Sequence, residues 1–363
     1  MTAKPRPRIV LAGGGSAGHV NPLLATAAHL PADITVLGTA EGLEADLVPA
    51  AGHELRLIPK VPFPRRPGRE MFTFPGDWRR AVAGARAALE EPRRADALVG
   101  FGGYVATPAY WAARKAGIPV VLHEQNARPG LANRLGARFA EVVALTFPST
   151  PLAGKKRTET VGLPLRPEIA ELARHRDRGT RDRGARALGL DPEKLTVLVT
   201  GGSLGAQRLN ETVPRAAEEI LATGAQVLHL AGTGKAFPSP APGRYHVREY
   251  LVEMHHALAC ADVVIGRAGA GMVAELSALG IPAIYVPFPI GNGEQRLNAQ
   301  DVVTAGGGIL VEDRNFTPSW LLAHLLPLLR EEGAREEMAR RAGRAGIVDG
   351  AERLAQIVLE VST

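Results

Sequence analysis

Two stretches of the chain follow the same plan, and this repeat constrains the fold more than any other feature. Residues 8–30 read RIVLAGGGSAGHVNPLLATAAHL, and residues 195–220 read LTVLVTGGSLGAQRLNETVPRAAEEI. Each stretch begins with an apolar run of strand length, continues through a glycine turn and ends in apolar residues at helical spacing. This order opens a parallel, doubly wound sheet, so the repeat predicts two such sheets.

The rest of the chain continues this pattern in two halves. Short apolar runs alternate with helical patterns before and after an arginine-rich stretch, RHRDRGTRDRGAR at residues 174–186. In the first half, the predicted strands cover residues 8–13, 34–38, 55–59, 97–102, 119–124 and 141–147. In the second half, they follow the strand that begins at residue 195 and cover residues 225–232, 245–251, 262–269 and 282–289.

A length of 363 residues also favours two domains, because a single hydrophobic core seldom organises so long a chain. We predict an α/β protein with two Rossmann-like, doubly wound domains, at residues 1–164 and 165–342. A C-terminal helix within residues 343–363 is expected to pack back on the first domain. Ligands of such sheets bind at the carboxyl ends of the strands, so the two domains are expected to face one cleft.

The composition is that of an ordinary globular protein, with 45% apolar and 22% charged residues. No apolar run approaches the length of a membrane-spanning helix, and the N-terminus continues into the first strand without a signal segment. These features predict a chain that stays in the cytoplasm. The single cysteine, Cys260, cannot form an internal disulfide, and its apolar surroundings predict a buried thiol.

Residues 60–94 form a basic segment, in which nine Lys or Arg residues stand against four acids. Cations beside apolar side chains fit an anionic membrane surface better than a nucleic acid duplex, so no nucleic acid partner is expected. A solvated helix whose apolar side packs inward is the alternative. The cations are Lys60, Arg65, Arg66, Arg69, Arg79, Arg80, Arg86, Arg93 and Arg94, and the interleaved apolar residues are Phe63, Met71, Phe72, Phe74 and Trp78.

Glycine turns follow three of the predicted strands, at residues 13–19, 100–105 and 200–206. Glycines in such turns let backbone N–H groups approach an anion, and the helix that follows adds partial positive charge. A dinucleotide site would also need an acid at the end of the second strand, where the chain has Gly38 and Thr39. Tight strand-to-helix packing explains any one turn, but three turns favour a substrate rich in phosphate.

Polar residues follow other predicted strands. In GRAGAGMVAE, residues 266–275, small residues end a strand and open a helix, so Glu275 falls in the second helical turn. A carboxylate there can accept from both hydroxyls of a ribose, and an exposed helix acid is the alternative. Gln295 and Asn298 share one helix face, and their amides suit sugar hydroxyls. The polar run HEQN, residues 123–126, stands where a parallel strand ends.

Taken together, these stretches resemble the MurG family, the bacterial UDP-N-acetylglucosamine:lipid-linked muramyl-pentapeptide N-acetylglucosaminyltransferases of peptidoglycan synthesis. GGGSAGHVNP at residues 13–22 is similar to the family's GGGTGGHxxP, and further motifs follow in the family's order: GFGGYVATP, HEQN, GLPLR, GGSLGAQRLN, GRAGAGMVAE and EQRLNA. The resemblance implies the GT-B fold, with a donor site mostly in the second domain and an acceptor site mostly in the first. It also implies an inverting reaction with no cofactor and no bound metal, and peripheral attachment to the cytoplasmic face of the cell membrane.

The resemblance further implies which residues bind UDP-GlcNAc. Those implied near the sugar and the diphosphate are Ser16, Ala17, Gly18, Asn126, Arg166 and Ser203. Those implied at the nucleotide are Leu251, through its backbone, and Ala270, Gly271, Met272, Val273, Ala274 and Glu275. Glu275 would hold the ribose and Gln295 the sugar. The chain departs from the family pattern at Ser16, Ala17, Leu163, Gly271 and Glu294.

For the acceptor, we expect the lipid-linked MurNAc-pentapeptide, with its pyrophosphate held by the first two glycine turns. The candidate residues are Gly14, Gly15, Gly102, Gly103 and Tyr104. His19 is the candidate catalytic base, since an imidazole titrates near neutral pH, and a histidine that only caps its helix or orients the turn is the alternative. Two other functions stay open at this point: a UDP-GlcNAc 2-epimerase-like isomerase, and a membrane scaffold without catalysis.

Overall fold

A computed structural model describes residues 6–62, 70–290 and 292–363, with the side chains of residues 70–72 left out. The chain divides into two compact units. The first unit consists of Met1–Arg166 together with Asp349–Thr363, and the second unit is Pro167–Val348. The first part of the basic segment, with Phe63, Arg65, Arg66 and Arg69, lies outside the described residues, as do the side chains of Met71 and Phe72.

The first unit is built on one parallel sheet of seven strands, in the order β3-β2-β1-β4-β5-β6-β7. Its central strands read as unbroken apolar runs because helices cover both faces of the sheet. The strands are β1 (Arg8–Gly13), β2 (Asp33–Gly38), β3 (Glu54–Leu57), β4 (Ala97–Gly102), β5 (Val120–Glu124), β6 (Val142–Leu145) and β7 (Arg157–Thr160).

Among the described residues of the first unit, five helices connect these strands. They are α1 (Ala17–Ala27), α2 (Glu44–Ala50), α3 (Glu70–Glu90), α4 (Ala106–Ala116) and α5 (Leu131–Gly136). One core layer packs α3 and α4 on the sheet through residues such as Ala85, Leu89 and Tyr110. The opposite layer places Leu23 of α1 against Ile9 and Leu11 of β1. Both faces of the sheet are therefore covered by helices, as in doubly wound folds.

The second unit repeats this architecture with six parallel strands, in the order β10-β9-β8-β11-β12-β13. The strands are β8 (Thr196–Thr200), β9 (Gln226–Leu230), β10 (Tyr245–Arg248), β11 (Val263–Gly266), β12 (Ala283–Tyr285) and β13 (Gly308–Leu310). Val197, Val199 and Ile265 pack with Phe316 and Leu325 in its core. Written by position along the chain, this strand order is the Rossmann order 3-2-1-4-5-6.

In the part of the second unit that the structure describes there are ten helices, and most of them lie between or after its strands. They are α6 (Pro167–His175), α7 (Arg178–Ala187), α8 (Gln207–Arg215), α9 (Ala217–Ala222), α10 (Met254–Cys260), α11 (Ala270–Ala278), α12 (Glu294–Asn298), α13 (Gln300–Thr304), α14 (Pro318–Arg330) and α15 (Glu332–Ala345), with one 3₁₀ turn at Asp313–Asn315. Cys260 ends α10 as a buried free thiol, as expected, and burial raises the pKa of this thiol to about 11.

The last helix of the chain, α16 (Gly350–Val361), returns to the first unit. It packs on α1 and on the sheet, where Leu354, Ile357 and Val358 are buried with the apolar residues of β1 and β4. Two features of the division differ in detail from the sequence-based expectation. The observed first segment ends at Arg166 rather than at residue 164, and the returning segment begins at Asp349 rather than at residue 343.

Candidate active site

In each sheet, the strand order reverses beside the first strand of the unit. In the first unit the chain moves outward from β1 through β2 to β3 and then crosses to β4 on the other side of β1. In the second unit, β8 and β11 have the same relation. Ligands of doubly wound sheets bind at the carboxyl ends of the strands at this switch point. The glycine turns after β1, β4, β8 and β11 therefore occupy the expected positions for ligand binding.

The first glycine turn joins β1 to α1 and is open to solvent. Gly15 has a positive φ of 89°, which favours glycine, and residues 15–18 are exposed. Ser16 is the extended N-cap of α1, and the first turn of this helix carries no acidic residue. The first N–H groups of a helix have no partner within it, so Ala17 and Gly18 stand at a position that suits an anion.

The second glycine turn lies directly against the first. The pairing of β1 with β4 shifts its register at Gly13, which pairs with Gly102. Gly103 is so close to the first turn that a Cβ on it would come within 2.7 Å of the carbonyl oxygen of Gly14. Tyr104 is exposed, with Nζ of Lys60 5.6 Å from the centre of its ring. The structure thus brings all five candidate residues for the acceptor pyrophosphate into one region of the first unit.

His19 lies between these two turns. Its Nδ1 is 3.3 Å from Oγ of Ser16, and its Nε2 is 3.1 Å from the position that a Cβ on Gly102 would take. The glycine at position 102 therefore makes room for the imidazole. The contact with Ser16 fixes the orientation of the ring, which is half-buried. The arrangement fits the role of base and also the role of a residue that orients the turn.

The polar run at the end of β5 is divided between structural and exposed roles. His123 is fully buried, and burial lowers the pKa of its imidazole to about 4. Its Nε2 donates to the carbonyl oxygen of Gly162 at 2.9 Å, while the Gln125 amide nitrogen lies 3.3 Å from its Nδ1. His123 is thus a neutral core histidine, the kind that most often has no catalytic role, whereas Asn126 is half-buried and closer to the surface.

Glu124 positions Asn126 through hydrogen bonds to the loop that carries it. Its buried carboxylate accepts from the backbone N–H groups of Asn126 and Gly130 and from the side-chain amide of Asn133, each at 3.0 Å. Asn133 in turn accepts from the hydroxyl of Tyr110 at 2.8 Å. Burial raises the pKa of the Glu124 carboxyl, against the opposing effect of these hydrogen bonds. The network fixes the loop that presents Asn126.

In the turn after β8 of the second unit, close packing explains why two positions are glycine. A Cβ on Gly201 would collide with Ala206, and a Cβ on Gly205 would collide with the backbone at Ala231, at the end of β9. Ser203 and Leu204 are exposed at the tip of this turn. Ser203, the candidate residue of this turn, is therefore accessible to a ligand. Because packing within the protein already accounts for Gly201 and Gly205, these two glycines are weaker evidence for a phosphate site than those of the turn after β11.

The turn after β11 leaves open space in front of α11. Gly269 is the N-cap of this helix, and neither it nor Gly271 has an atom within 4 Å of its Cβ position. The first turn of α11 carries no acidic residue, and its next turn carries Glu275. Helix N-termini with this access are suited to phosphate groups. The partly exposed residues of this turn and helix form the candidate surface: Ala270, Gly271, Met272, Ala274 and Glu275. The side chain of Val273 is buried in the core, so the structure does not place it at this surface.

Gln295 links the turn after β11 to the segment that follows β12. Its Oε1 accepts from the backbone N–H of Ala268 at 3.2 Å and of Phe288 at 2.9 Å. The oxygen of the side-chain amide is therefore engaged by the protein, and the nitrogen, a donor, is the group with which Gln295 can meet a sugar hydroxyl. Asn298, one helical turn on, is buried and donates to the carbonyl oxygen of Ala268 at 3.3 Å, so it is a structural residue.

Leu251 and Arg166 belong to different units. Leu251 follows β10 in a short connection to α10, at the carboxyl edge of the sheet of the second unit. Several large apolar side chains are exposed at this edge: Leu204, Tyr250, Val252, Phe288 and Ile290. Arg166, by contrast, is the last residue of the first segment and belongs to the first unit.

Two charged residues beside these turns were not expected from the sequence: Arg267, which is half-buried, and Glu44, which is fully buried. Arg267 directly precedes the turn at α11, and its Nη1 donates to Asp313 Oδ1 at 2.5 Å and to the carbonyl oxygen of Val286 at 3.0 Å. Glu44 lies beneath the first glycine turn, where it accepts from the N–H of Gly15 at 2.7 Å. Neither contact has a local sequence signal, since the partners are 46 and 29 residues apart.

Glu253, His255 and His256 are grouped beside Leu251, with potential metal-binding atoms within 4.8 Å of one another. Glu253 is exposed and pairs with His256, whose Nε2 lies 3.8 Å from a carboxylate oxygen. This cluster was not expected from the sequence. The side chains lie at the start of α10 rather than at the turns after β8 and β11.

In the basic segment, part of the charge serves the fold. Arg86 pairs with Glu90 at 2.9 Å, Arg93 pairs with Asp33 at 3.2 Å, and Arg94 donates to backbone carbonyl oxygens. Arg79 and Arg80 are exposed on α3. Across the described residues, no helix combines the length and the apolar character needed to cross a bilayer.

Comparisons with known proteins agree with these observations. The model of the glycosyltransferase family 28 N-terminal domain matches residues 9–145, and that of the family 28 C-terminal domain matches residues 196–354. The UDP-N-acetylglucosamine–N-acetylmuramyl-(pentapeptide) pyrophosphoryl-undecaprenol N-acetylglucosamine transferase of Clavibacter sepedonicus is 54% identical over 354 residues, which cover 96% of this chain and 95% of that relative.

Solved structures extend the comparison. A crystal structure of MurG from Acinetobacter baumannii has a TM-score of 0.76 at 28% identity, covering 98% of this chain and 100% of that chain. UDP-GlcNAc 2-epimerase from Neisseria meningitidis has a TM-score of 0.70 at 13% identity, covering 97% and 100%, and therefore shares the fold alone. The chain belongs to glycosyltransferase family 28 and, within it, to the MurG family of N-acetylglucosamine transferases, which has the GT-B fold of two Rossmann-like domains.

Proposed function

We propose that this protein transfers GlcNAc from UDP-GlcNAc to the 4-hydroxyl of MurNAc in undecaprenyl-pyrophosphoryl-MurNAc-pentapeptide, with inversion to a β-1,4 linkage. The observation that carries the proposal is the 54% identity, over nearly the whole chain, to a transferase named for this reaction. The glycine turns at the switch points of both sheets support it, because a sugar nucleotide and a lipid pyrophosphate both need anion sites.

The donor belongs to the second unit in this proposal. The open N-terminus of α11 suits the diphosphate, and Glu275 in the following turn can accept from both ribose hydroxyls. Gln295 contributes its amide nitrogen to the sugar. The exposed apolar residues around Leu251 suit the uracil ring, whose polar edge can bond to the backbone of that segment. Arg166 and the turn at Ser203 would stabilise the charge of the leaving diphosphate.

The acceptor belongs to the first unit, and His19 is its proposed base. The oxygen of the MurNAc 4-hydroxyl forms a bond to C1 of GlcNAc, while the bond from C1 to the phosphate oxygen breaks and UDP leaves with the electron pair. The proton of the hydroxyl passes to Nε2 of His19. For this, Nδ1–H of His19 must donate to Oγ of Ser16, and the observed separation of 3.3 Å allows that hydrogen bond.

The decisive test is a product assay with the full chain. The protein is incubated with UDP-GlcNAc carrying labelled sugar and a short-chain lipid-linked MurNAc-pentapeptide, and we expect a labelled lipid-linked disaccharide and one UDP per product. A UDP-GlcNAc 2-epimerase would instead form UDP-ManNAc without acceptor, and the relatives do not favour that function. A protein that forms neither product would contradict the proposal, and absence of UDP-GlcNAc binding in a nucleotide titration would support the scaffold alternative.

We also propose that α3 attaches the protein to the cytoplasmic surface of the anionic cell membrane, where the lipid-linked acceptor is confined. Ala81, Ala85 and Ala88 form one buried stripe of this helix, and Phe74 and Trp78 continue the same stripe toward its N-terminus. There the two rings are only half-buried and stack with their centroids 6.1 Å apart. The apolar stripe thus extends beyond the core, beside the exposed Arg79 and Arg80.

Vesicle sedimentation separates the two contributions. Each cation near an anionic leaflet contributes about 1 kcal/mol, which salt screens, whereas apolar insertion is insensitive to salt. Arg79→Glu with Arg80→Glu should reduce binding most at low salt, and Phe74→Ser with Trp78→Ser should reduce it at every salt concentration. The matched control reverses two exposed arginines of α15, Arg340 and Arg344. If the α3 variants bind vesicles as the wild type does, this surface is only a solvated helix.

A further inference from the structure

A buried carboxylate lies beneath the first glycine turn. Glu44 is the first residue of α2 and is fully buried. One oxygen accepts from the backbone N–H of Gly15 at 2.7 Å, and the other accepts from the backbone N–H and the hydroxyl of Thr39, each at 2.9 Å. The carboxylate thus ties the turn after β1 to the turn after β2.

The surrounding glycines are shaped around this carboxylate. A Cβ on Gly14 or on Gly42 would collide with the Glu44 carboxylate, and a Cβ on Gly38 would collide with the Glu44 side chain. These three positions therefore need glycine because an internal side chain fills the space. At two of the three, that space is next to the carboxylate itself, which is enclosed between the two turns.

The hydrogen bonds also determine the charge of Glu44. Burial alone would raise the pKa of this carboxyl, but the hydrogen bonds from Gly15 and Thr39 outweigh it, and the pKa lies below its usual value of 4.5. Glu44 is therefore ionised at neutral pH. In a dinucleotide-binding turn, backbone N–H groups of this kind bind a phosphate. Here an anion of the protein already accepts from the N–H of Gly15.

We propose that Glu44 is a positioning residue of the acceptor site: its carboxylate fixes the first glycine turn and so places Ser16 and His19. Glu44 also accepts the hydrogen bond of the Gly15 N–H, so this group already has a partner within the protein. The N–H of Gly15, expected from the sequence at the acceptor pyrophosphate, is then not available to it. The pyrophosphate is left to the second glycine turn and to the start of α1, at Ala17 and Gly18, which the resemblance had instead placed near the donor. This inference rests on the proposed function for its kinetic consequences, although the geometry of the turn is independent of it.

The test compares Glu44→Gln in the full chain with Asp96→Asn. The glutamine side chain has nearly the same shape as glutamate. Its NH₂ group replaces one accepting oxygen, however, so one of the hydrogen bonds from Gly15 or Thr39 is lost. Asp96 is the matched control, because it accepts from the backbone N–H of Arg8 at 2.7 Å, at the opposite end of β1. We expect Glu44→Gln to lower kcat/KM for the lipid-linked acceptor about tenfold or more, with KM for UDP-GlcNAc within about twofold of the wild type. Asp96→Asn should change neither.

Hydrogen exchange gives a second measurement that does not need catalysis. In Glu44→Gln, the amides of residues 13–19 should exchange faster than in the wild type, while those of residues 266–275 in the second unit should be unchanged. If acceptor kinetics and exchange at residues 13–19 both match the wild type, Glu44 has no positioning role. A lower melting temperature with unchanged kinetics would also overturn the proposal, since Glu44 would then act in stability alone.

Thr39 provides milder variants in case Glu44→Gln does not fold. Thr39→Val removes the hydroxyl that donates to Glu44 and should lower acceptor kcat/KM by about threefold, whereas Thr39→Ser should restore it. Equal kinetics for Val and Ser at position 39 would count against the proposal. If the wild type forms no disaccharide, the proposed function fails, and the exchange of residues 13–19 still decides whether Glu44 holds the turn.

Discussion

Single glycines of the four turns differ in what occupies the space of their missing side chains. At Gly14, an internal carboxylate fills it, and at Gly205 the backbone of a neighbouring turn does. At Gly269 and Gly271, nothing of the protein lies within 4 Å. Gly15 and Gly202 also face open space, but only Gly269 is itself the N-cap of the helix that follows. The turn before α11 is therefore the stronger candidate for the donor diphosphate than the turn after β8, where Ala206 is the N-cap of α8.

His19 allows a sharp test at the residue scale. If His19 is the base, His19→Ala should lower kcat by about 10² or more, because proton transfer to a positioned side chain contributes about that factor. The affinity for UDP should stay close to that of the wild type. Steady-state kinetics with the short-chain acceptor and calorimetry with UDP measure the two effects. A change confined to the KM of the acceptor would assign His19 to positioning the pyrophosphate.

Glu275 is the corresponding residue for the donor. Removing its carboxylate by Glu275→Ala should weaken UDP binding by about 1.5–3 kcal/mol, the range for hydrogen bonds to a charged group. Titration calorimetry with UDP measures this loss. Glu218→Ala is a suitable control, since Glu218 is an exposed acid in the first turn of α9. Equal UDP affinity of all three proteins would exclude Glu275 from the site.

Strands with buried apolar runs could be predicted from the sequence. Strands that form only because they pair with a neighbouring strand could not. The parallel sheets and the turns that end their central strands follow from local patterns such as RIVLAG and TVLVT. The edge strand β7 has the polar sequence RTET, and β13 has only three residues, so neither had a local signal. Glu44 and Arg267 depend on partners distant in sequence, and a periodic pattern does not encode such contacts.

Strand β9 carries a histidine whose burial makes stability depend on pH. His229 lies between the hydroxyl of Tyr245, at 2.6 Å, and the side-chain oxygen of Asn210, at 2.9 Å. Burial lowers the pKa of its imidazole from 6.5 to about 3. The unfolded chain therefore takes up a proton as the pH falls through about 6.5, whereas the folded chain stays neutral until the pH approaches about 3.

We expect this histidine to remove about 2 kcal/mol from the free energy of unfolding of the second unit between pH 7 and pH 5. Urea denaturation at both pH values measures the loss, with Trp78 and Trp111 replaced by Phe so that Trp320 reports on this unit. His229→Asn should show a smaller loss, and the exposed His175→Asn should behave as the parent does. Equal losses in all three proteins would contradict the assignment.

The whole molecule combines two units with the same strand plan and different proposed substrates. Hydrogen exchange should separate them. UDP should slow exchange mainly at residues 249–253 and 266–275 of the second unit, because a ligand of the folded state suppresses opening of the segments that it contacts. The lipid-linked acceptor should act at residues 13–19 and 100–105. UDP protection confined to the first unit would reverse the assignment.

The reaction as proposed needs no divalent ion, because backbone N–H groups and Arg166 supply the charge that stabilises the leaving diphosphate. EDTA should therefore leave kcat within about twofold of its value without chelator. The cluster of Glu253, His255 and His256 provides the comparison. If EDTA abolishes activity and replacement of both histidines by Asn has the same effect, the reaction depends on an ion at this cluster.

The return of α16 to the first unit has a consequence for the order of synthesis. Gly350 lies against the backbone of Leu163, where a Cβ would come within 2.8 Å of the carbonyl oxygen of Leu163, so the chain leaves the first unit and re-enters it at neighbouring points. The second unit is thus inserted in the chain of the first unit. On the ribosome, the nascent first unit lacks Leu354 and Val358 and exposes the apolar surface that they cover. The inserted unit can complete its own core before its host does.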